Sequence, residues 1–259
     1  MRENRTKRLL REGKVAFSIS QTNLASPEVT RMLAKAGMDW VFVDSEHSAF
    51  GPDALNEIIK TALLTDITPI VRVADFQYDL VARSLDSGAE GIIFPRTESA
   101  EALRTAVSWT RFPPVGIRGY GLGMTQLGYE ANPMDKVIEH RNREVLVIAQ
   151  IESTVGLANL DEIAAVEGLD SLLVGPADLS ISLGVPGQWD SPKLLDAIDQ
   201  VVAACVRHGK WPAIQVRNLE FAQVCIEHGM KLIGCASDTQ VMWEAVSGLA
   251  GGLNAARGD

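Results

Sequence analysis

Short, mainly apolar runs recur along the chain and alternate with segments of helical periodicity. The runs are apolar on consecutive positions rather than on every second one, which is typical of parallel strands covered on both faces. They predict eight strands, at residues 15–20, 40–44, 68–73, 91–95, 145–151, 171–175, 212–216 and 231–236.

The segments between these strands have the pattern of amphipathic helices. Pro27, Pro52 and Pro192 stand where a first helical turn tolerates proline, and glycines such as Gly88 and Gly209 stand where helices should end. We predict helices at residues 26–36, 52–65, 77–87, 99–109, 155–166, 192–208, 219–228 and 239–253.

Eight strands alternating with eight helices favour a (β/α)8 TIM barrel, an α/β fold, as a single domain over residues 1–259. A doubly wound open sheet is the rival, but no Gly-x-Gly-x-x-Gly follows the first strand. One connection is much longer than the others: residues 110–144 form an excursion of the kind used as a lid or an interface arm. A helix is predicted within it at 133–143.

Composition narrows the class of protein. Apolar residues make up 46% of the 259 residues and charged residues 22%, which is enough for a large core. The net charge of −9 argues against nucleic acid or an anionic membrane surface as a partner. The N-terminus has no apolar signal region, no run approaches a membrane span, and three scattered cysteines suit reduced thiols, so we predict a cytoplasmic protein.

Polar side chains cluster where the predicted strands end, and strand ends face the active site of a barrel. Each has a structural interpretation: Asp44, Glu46 and His47 could cap a helix, and Arg72 could be an ion-pair partner. Glu152 and Asp178 could also be helix caps, but all of these at one rim would be a coincidence. The polar residues of this rim are Asp44, Glu46, His47, Arg72, Arg96, Gln150, Glu152 and Asp178.

These residue types suit chemistry on a metal-bound 2-oxo acid. Glu152 and Asp178 offer two carboxylates without thiolate or imidazole, which favours Mg²⁺ or Mn²⁺. The Gly175-Pro-Ala-Asp turn opens a short helix whose amides suit a carboxylate. Arg72 could stabilise an oxyanion and His47 could move a proton near neutral pH.

Six segments in register resemble the HpcH/HpaI family of class II pyruvate aldolases over nearly the whole chain. The family uses a divalent metal to cleave 4-hydroxy-2-oxo acids to pyruvate and an aldehyde, reversibly, through a metal-stabilised pyruvate enolate. The segments are Asp44-Ser-Glu-His47, Pro69-Ile-Val-Arg72, Leu85-Asp-Ser-Gly-Ala89, Pro113-Pro-Val-Gly-Ile-Arg-Gly119, Gln150-Ile-Glu152 and Gly175-Pro-Ala-Asp-Leu-Ser180.

The resemblance implies a role for each matched residue. Glu152 and Asp178 would bind Mg²⁺, Mn²⁺ or Co²⁺, while Gln150 and the turn at Gly175 and Ala177 would hold pyruvate. Arg72 would stabilise the enolate and His47 would be the base. Asp86 would partner His47, although a helix end belongs at the opposite rim, and Asp44 is the local alternative.

The chain also departs from the family pattern. Arg96 follows Pro95, where relatives often have Met or Phe, and could bind a second carboxylate or merely pair with Glu98. Residues 234–238 and the 110–144 excursion are expected to shape specificity for the aldehyde.

Relatives form homo-trimers or homo-hexamers and exchange a terminal helix, which here would be the segment around Trp243. Three other functions stay open. Two are sister lyase activities, oxaloacetate decarboxylation and hydroxyacyl-CoA cleavage, and the third is a non-catalytic barrel that binds 2-oxo acids.

Overall fold

A closed barrel of eight parallel strands forms the centre of the protein, as the alternating pattern predicts. The computed structural model describes residues 1–257. Each strand pairs with its neighbours in chain order, and β1 closes the barrel against β8. The strands are β1 (Ala16–Gln21), β2 (Trp40–Asp44), β3 (Thr68–Arg72), β4 (Gly91–Phe94), β5 (Leu146–Ile151), β6 (Ser171–Val174), β7 (Trp211–Val216) and β8 (Leu232–Ser237).

Two apolar layers hold this barrel together, because side chains alternate between the two faces of each strand. The inner layer fills the barrel and includes Trp40, Phe42, Ile148 and Leu173. A larger outer layer packs the strands against the surrounding helices. The inner layer therefore acts as a floor, and polar residues above it on the same faces point into the mouth.

Twelve α-helices surround the barrel within residues 1–257, and most lie where the sequence predicts them. The predicted helix at 155–166 is broken in two at Asn159. The helices are α1 (Arg5–Arg11), α2 (Pro27–Lys35), α3 (Pro52–Leu63), α4 (Tyr78–Ser87), α5 (Ala100–Ser108), α6 (Met134–Glu144), α7 (Thr154–Ala158), α8 (Leu160–Ala164), α9 (Pro176–Ser182), α10 (Pro192–His208), α11 (Leu219–Glu227) and α12 (Asp238–Arg257).

The first helix, α1, was not predicted and closes the N-terminal end of the barrel. Leu10 is buried in the inner layer, and Lys7 Nζ pairs with Asp170 at 2.8 Å. Asn4 caps the helix by accepting the backbone N–H of Lys7. The helix is charged along most of its length, so its stability comes from this docking rather than from an amphipathic pattern.

The 110–144 excursion lies against α4 and the N-terminal end of the barrel. The guanidinium of Arg118 pairs with Asp86 at 2.8 Å, and the N–H of Gly119 donates to Tyr78 Oη at 2.9 Å. Arg111 reaches Asp170 at 3.5 Å, beside the start of β6. No residue of the excursion lines the cavity at the mouth, so within this chain it does not shape the pocket as expected.

The last helix, α12, is attached to the barrel chiefly at its start. The Asp238 carboxylate accepts backbone N–H groups of Thr22, Asn23 and Leu24. Beyond this turn the apolar side chains of α12 are exposed, including Trp243 at 72% and Leu249 at 70%. Within residues 1–257, no helix has the length and apolar character needed to cross a membrane.

Candidate active site

A cavity of about 550 Å³ opens at the C-terminal ends of the strands, above the inner apolar layer. Every second residue of a strand faces the barrel interior, so Asp44 lies above Phe42 on β2. On β5, Gln150 and Glu152 follow Ile148 on the same face. The structure therefore brings most of the predicted polar residues to one rim. Those that line the cavity are Asp44, His47, Arg72, Gln150, Gly175, Ala177 and Asp178.

Arg72 is held in place by a carboxylate from the neighbouring strand. Its Nε and Nη2 donate to the two oxygens of Asp44 at 3.0 and 2.6 Å, a bidentate arrangement. Burial alone would lower the pKa of Arg72, but the hydrogen bonds and charge of Asp44, with the charge of Glu46, outweigh it and the pKa is raised. The guanidinium is thus a fixed cation at the edge of the cavity.

Glu46 belongs to this cluster, although the sequence alone also allows it to be a capping residue in a loop. Its side chain is only 7% exposed, and it lies 3.2 Å from Arg72 Nη1 and 3.3 Å from Arg96 Nη1. The Arg72 contact is an ion pair by distance rather than a well-directed hydrogen bond, since Glu46 Oε2 makes no hydrogen bond within residues 1–257. Its position in Asp44-Ser-Glu-His47 was the available signal.

His47 is exposed, and its closest acidic neighbours come from the same loop. Its Nε2 lies 3.8 Å from Glu46 Oε2, and its backbone N–H donates to Asp44 Oδ1 at 3.3 Å. Asp86 lies elsewhere: it is near the end of α4, where its carboxylate pairs with Arg118. A Cβ on Gly121 would overlap that carboxylate, so the excursion wraps closely around it. Within this chain, Asp86 and His47 do not meet.

Glu152 is buried, and each of its oxygens has one hydrogen bond. Oε1 accepts the backbone N–H of Arg96 at 2.7 Å, and Oε2 accepts Gln150 Nε2 at 2.5 Å. Burial raises the pKa of Glu152, the Arg96 N–H lowers it, and the negative charge of Asp178 raises it again, with an upward result. The negative charge of Asp178 thus acts on the buried carboxylate of Glu152, so the two side chains are neighbours at the mouth.

Gly175 makes room for this arrangement. A Cβ at this position would lie 2.5 Å from Glu152 Oε2 and 2.7 Å from Gln150 Nε2. Gly175 precedes α9, and its neighbours Ala177 and Asp178 line the cavity from the first turn of that helix. The N–H groups of a first turn have no partner inside the helix, so this wall suits a carboxylate ligand.

The donor set fits a hard divalent cation. Within residues 1–257, no group of three or more His, Cys, Asp or Glu side chains is placed to hold a metal, so Glu152 and Asp178 would act as a pair of carboxylates rather than as part of a larger acidic or imidazole cluster. Mg²⁺ and Mn²⁺ commonly use one or two carboxylates and complete their coordination with water and substrate oxygens. A cation held by these residues would also offset the burial and the negative charge of Asp178, both of which raise the pKa of Glu152.

Arg96 lies beside the site, where its backbone and its guanidinium contact two of the acidic residues. It has a left-handed backbone with φ of 43°, and in this conformation its N–H reaches Glu152. Its guanidinium pairs with Glu46, whereas Glu98 bonds to Ser153. Arg96 is not among the lining residues, so the structure gives it a supporting position rather than a place in the pocket.

The wall beside the carboxylates, beyond β6, contains residues that the sequence analysis does not single out. It follows β7 and β8, and the alternation of β7 after the inward-facing Ala213 would have indicated two of its members. The residues of this wall are Trp189, Gln215, Arg217, Asn218, Phe221 and Gln240.

Comparison with known families and proteins identifies relatives of the chain. Residues 21–245 match the family model described as HpcH/HpaI aldolase/citrate lyase. A hydroxypyruvate/pyruvate aldolase from Pseudomonas aeruginosa is 30% identical over 248 residues, covering 96% of this chain and 92% of that protein. A 4-hydroxy-2-oxo-heptane-1,7-dioate aldolase from Escherichia coli is also 30% identical, covering 96% of this chain and 94% of the relative.

A solved structure agrees with these relatives. The crystal structure of an HpcH/HpaI aldolase from Desulfitobacterium hafniense DCB-2 superposes with a TM-score of 0.91 at 29% identity. The match covers 95% of each chain, so the likeness includes the barrel, the loops at its mouth and most of the surrounding helices.

Proposed function

The chain belongs to the HpcH/HpaI aldolase/citrate lyase family, and from this premise we propose that it is a divalent-metal-dependent aldolase. It is a carbon–carbon lyase by family. The proposed reaction is the reversible cleavage of a 4-hydroxy-2-oxo acid to pyruvate and an aldehyde.

One observation carries the proposal: two neighbouring carboxylates, buried Glu152 and cavity-lining Asp178, lie at the same barrel mouth as a fixed arginine. Glu152 and Asp178 would hold the divalent metal, and the Asp44-bound Arg72 lines the same cavity. A bound metal would polarise the 2-oxo group as a Lewis acid. Arg72 would donate to the oxygen on which negative charge develops, the role of preorganised donors in acyl and enolate chemistry.

Substrate binding falls to the wall formed by β5 and the turn before α9. Gln150 Nε2 is bound to Glu152, while its Oε1 is buried without a hydrogen bond within residues 1–257. The first-turn N–H groups at Ala177 and Asp178 would receive the carboxylate of pyruvate. Gly175 would keep this wall close to Glu152.

Proton transfer is assigned to His47. In cleavage, a base removes the proton of the C4 hydroxyl, the C3–C4 bond breaks, the aldehyde leaves, and the bond's electron pair becomes the enolate. C3 then takes a proton to give pyruvate. His47 is exposed at the mouth and can exchange protons with water, and Asp44 would orient its loop through the backbone N–H.

The metal is proposed to be Mg²⁺, Mn²⁺ or Co²⁺, supported by the oxygen-only donor pair. A cytoplasmic location is inferred from the three cysteines, which are free in the structure.

Exchange of the pyruvate methyl protons tests the proposal without any aldehyde. In deuterated buffer with pyruvate and one of the three metals, NMR should show loss of the methyl signal, because enolate formation and reprotonation exchange these protons. Glu152→Ala should abolish the exchange, while Glu101→Gln, which alters an exposed carboxylate on α5, should not change it. Absence of exchange with every metal would leave a non-catalytic 2-oxo-acid-binding barrel.

Oxaloacetate decarboxylation gives the same pyruvate enolate, whereas cleavage of a hydroxyacyl-CoA releases an acyl-CoA, so the products separate these sister lyase activities from the aldolase. Oxaloacetate decarboxylation would release CO₂ without forming a carbon–carbon bond. A hydroxyacyl-CoA substrate would call for cations that bind its diphosphate, whereas the cations lining the cavity are Arg72, already paired, Arg217 and the titratable His47. Aldol addition therefore remains the function that the cavity supports best.

Assembly as a homo-trimer or homo-hexamer is proposed from the exposed apolar side of α12. Val241, Trp243, Val246, Leu249 and Leu253 are all at least 42% exposed on one helix that leaves the barrel. A set of this size is typical of an interface. Light scattering at micromolar concentration should give a multiple of the 28.0 kDa chain, and a monomeric mass would contradict the assembly.

A further inference from the structure

Arg96 is a residue of the mouth that the proposed chemistry does not use. It follows β4 and Pro95, and its backbone is left-handed with φ of 43°. A glycine adopts this conformation without steric cost, whereas the Cβ of any other residue strains it. Backbone strain of this kind clusters at functional sites, so the Arg96 side chain is a candidate for a role in the site.

Two different parts of Arg96 contact acidic residues of the mouth. Its backbone N–H donates to Glu152 Oε1 at 2.7 Å, and Nη1 of its guanidinium lies 3.3 Å from Glu46 Oε1. The first contact involves only the backbone, so it is kept by any substitution that leaves the N–H and the backbone conformation in place. The second contact depends on the arginine side chain and joins it to the loop after β2.

Glu46 lies between two guanidinium groups. Its Oε1 faces Arg96, and its Oε2 lies 3.2 Å from Nη1 of Arg72. The Glu46 side chain is almost completely buried, and a buried carboxylate needs positive charge beside it. Arg96 provides part of that charge, so Arg72 does not have to neutralise Glu46 alone.

One edge of Arg72 makes no directed hydrogen bond within residues 1–257. Its Nε and Nη2 donate to Asp44, whereas Nη1 makes only the ion pair with Glu46. Glu46 Oε2 correspondingly accepts no hydrogen bond in this part of the chain. Nη1 is therefore able to donate to a ligand oxygen in the cavity that Arg72 lines.

We propose that Arg96 is a positioning residue, which holds Glu46 so that Nη1 of Arg72 stays available to the enolate oxygen. This inference rests on the proposed aldolase function, in which Arg72 stabilises the charge that develops on that oxygen. Without the Arg96 guanidinium, the buried Glu46 carboxylate would rotate toward Arg72 and accept a directed hydrogen bond from Nη1. Every nitrogen of the Arg72 guanidinium would then be bound to a carboxylate, and its stabilisation of the enolate would fall.

Arg96→Gln tests this role, because glutamine lacks the charge but keeps the backbone N–H that reaches Glu152. The assay is exchange of the pyruvate methyl protons in deuterated buffer with saturating Mn²⁺. The maximal exchange rate should fall by about tenfold, less than the roughly 10²-fold or more that follows outright loss of an oxyanion donor. The pyruvate concentration for half-maximal exchange should change by less than about twofold, because the effect arises on the enolate rather than on bound pyruvate.

Oxalate binding gives a readout that does not depend on turnover. Oxalate resembles the pyruvate enolate, since both are planar anions with oxygens on two adjacent carbons, but it cannot react. Calorimetry in the presence of Mn²⁺ should show oxalate binding weakened by about tenfold in Arg96→Gln. Binding of Mn²⁺ alone should stay within about twofold, because Glu152 keeps its backbone hydrogen bond.

A double-mutant cycle determines whether Arg96 acts through Glu46. Arg96→Gln should lower exchange in the parent but have little effect in a Glu46→Gln background, where no carboxylate competes for Arg72 Nη1. Arg96→Lys, which restores a cation, should recover part of the exchange rate. An unchanged exchange rate in Arg96→Gln, or the same loss in both backgrounds, would overturn the inference.

Two further variants separate the Arg96 side chain from general effects. Arg31→Gln removes a guanidinium that is 63% exposed, against 61% for Arg96, and that pairs with Glu28 on α2; it should change none of these quantities. Arg96→Gly removes the side chain and relieves the left-handed backbone, so it should lose exchange as Arg96→Gln does without a lower melting temperature. A normal exchange rate in Arg96→Gly would contradict a role for the side chain.

Failure of the underlying function would look different. An unaltered enzyme that exchanges pyruvate protons no faster than Arg96→Gln refutes the role of Arg96 alone. An unaltered protein that exchanges no pyruvate protons with Mg²⁺, Mn²⁺ or Co²⁺ refutes the aldolase function and this inference with it.

Discussion

Glu90, at the N-terminal end of the barrel, should make the protein less stable as the pH rises. Its side chain is 4% exposed, and Oε2 has no hydrogen bond within residues 1–257. Burial raises the pKa of Glu90 from 4.5 to about 7; the charges of Arg2 and Arg141 lower it and that of Glu144 raises it. The folded protein therefore keeps a proton on Glu90 that the unfolded chain releases.

The sign and size of the effect follow from this difference in pKa. Between the unfolded value and about 7, the native state binds more protons than the unfolded state, so the free energy of unfolding falls as pH rises. The stability is fully present below the unfolded pKa and is lost as pH passes through the folded pKa. At about 1.4 kcal/mol per pKa unit, the loss is on the order of 3 kcal/mol by about pH 8.

Glu90→Gln removes the titration with little change of shape. At about pH 5 the variant should match the parent, because a protonated Glu and a Gln are both neutral there. At about pH 8 it should be more stable by about 1–3 kcal/mol, since the parent then holds a buried carboxylate whose ion pair with Arg2 at 3.2 Å offsets only part of the cost.

Urea unfolding of both proteins at several pH values gives the required difference. Glu101→Gln on the exposed surface of α5 serves as the matched control and should leave the pH dependence of stability as it is in the parent. A stability difference between Glu90→Gln and the parent that stays constant from about pH 5 to about pH 8 would refute the reasoning.

Two substitutions probe the mouth. Arg72→Lys keeps a charge beside Asp44 but loses the bidentate geometry, so pyruvate proton exchange should fall by about 10²-fold while Mn²⁺ binding by calorimetry stays near normal; a near-normal exchange rate would contradict the enolate role. Gly175→Ala places a methyl group 2.5 Å from Glu152 Oε2, so the affinity for Mn²⁺ should fall clearly while the melting temperature changes little. Gly251→Ala, which has open space around it, should change neither quantity. An unchanged affinity for Mn²⁺ in Gly175→Ala would argue against Glu152 as a metal ligand.

The barrel could be predicted because its strands are buried on both faces, so that each strand is a continuous run of apolar residues in the sequence. The predicted ends of 40–44 and 192–208 agree with β2 and α10. The failures occurred where structure depends on distant contacts. Helix α1 is stabilised by the docking of Leu10 and Lys7, and nothing in its own charged sequence indicates that.

The part of the candidate site at the ends of β5 and β6 could be predicted, because acidic residues follow these strands directly in the sequence. Glu152 and Asp178 follow apolar runs, so their place at the rim could be read from the chain. Glu46 could not be assigned in the same way, because a loop carboxylate is usually a cap and only the contacts with Arg72 and Arg96 place it in the cluster. Arg217 is not singled out by the sequence, and only its position after β7 in the closed barrel places it at the cavity.

The polar residues at the mouth differ in how many hydrogen bonds and ion pairs they make with the rest of the protein. Around Glu152 and Arg72 the side chains depend on one another. Glu152 accepts hydrogen bonds from Gln150 and from the backbone of Arg96, and Asp44 holds Arg72, so a change at one of these residues disturbs others. At the end of β7, the guanidinium of Arg217 makes no hydrogen bond or ion pair among residues 1–257, so a substitution there removes no polar contact of this side chain. Pyruvate proton exchange should therefore change less in Arg217→Gln than in Glu152→Gln or Arg72→Lys, and an equal loss in all three variants would contradict this difference.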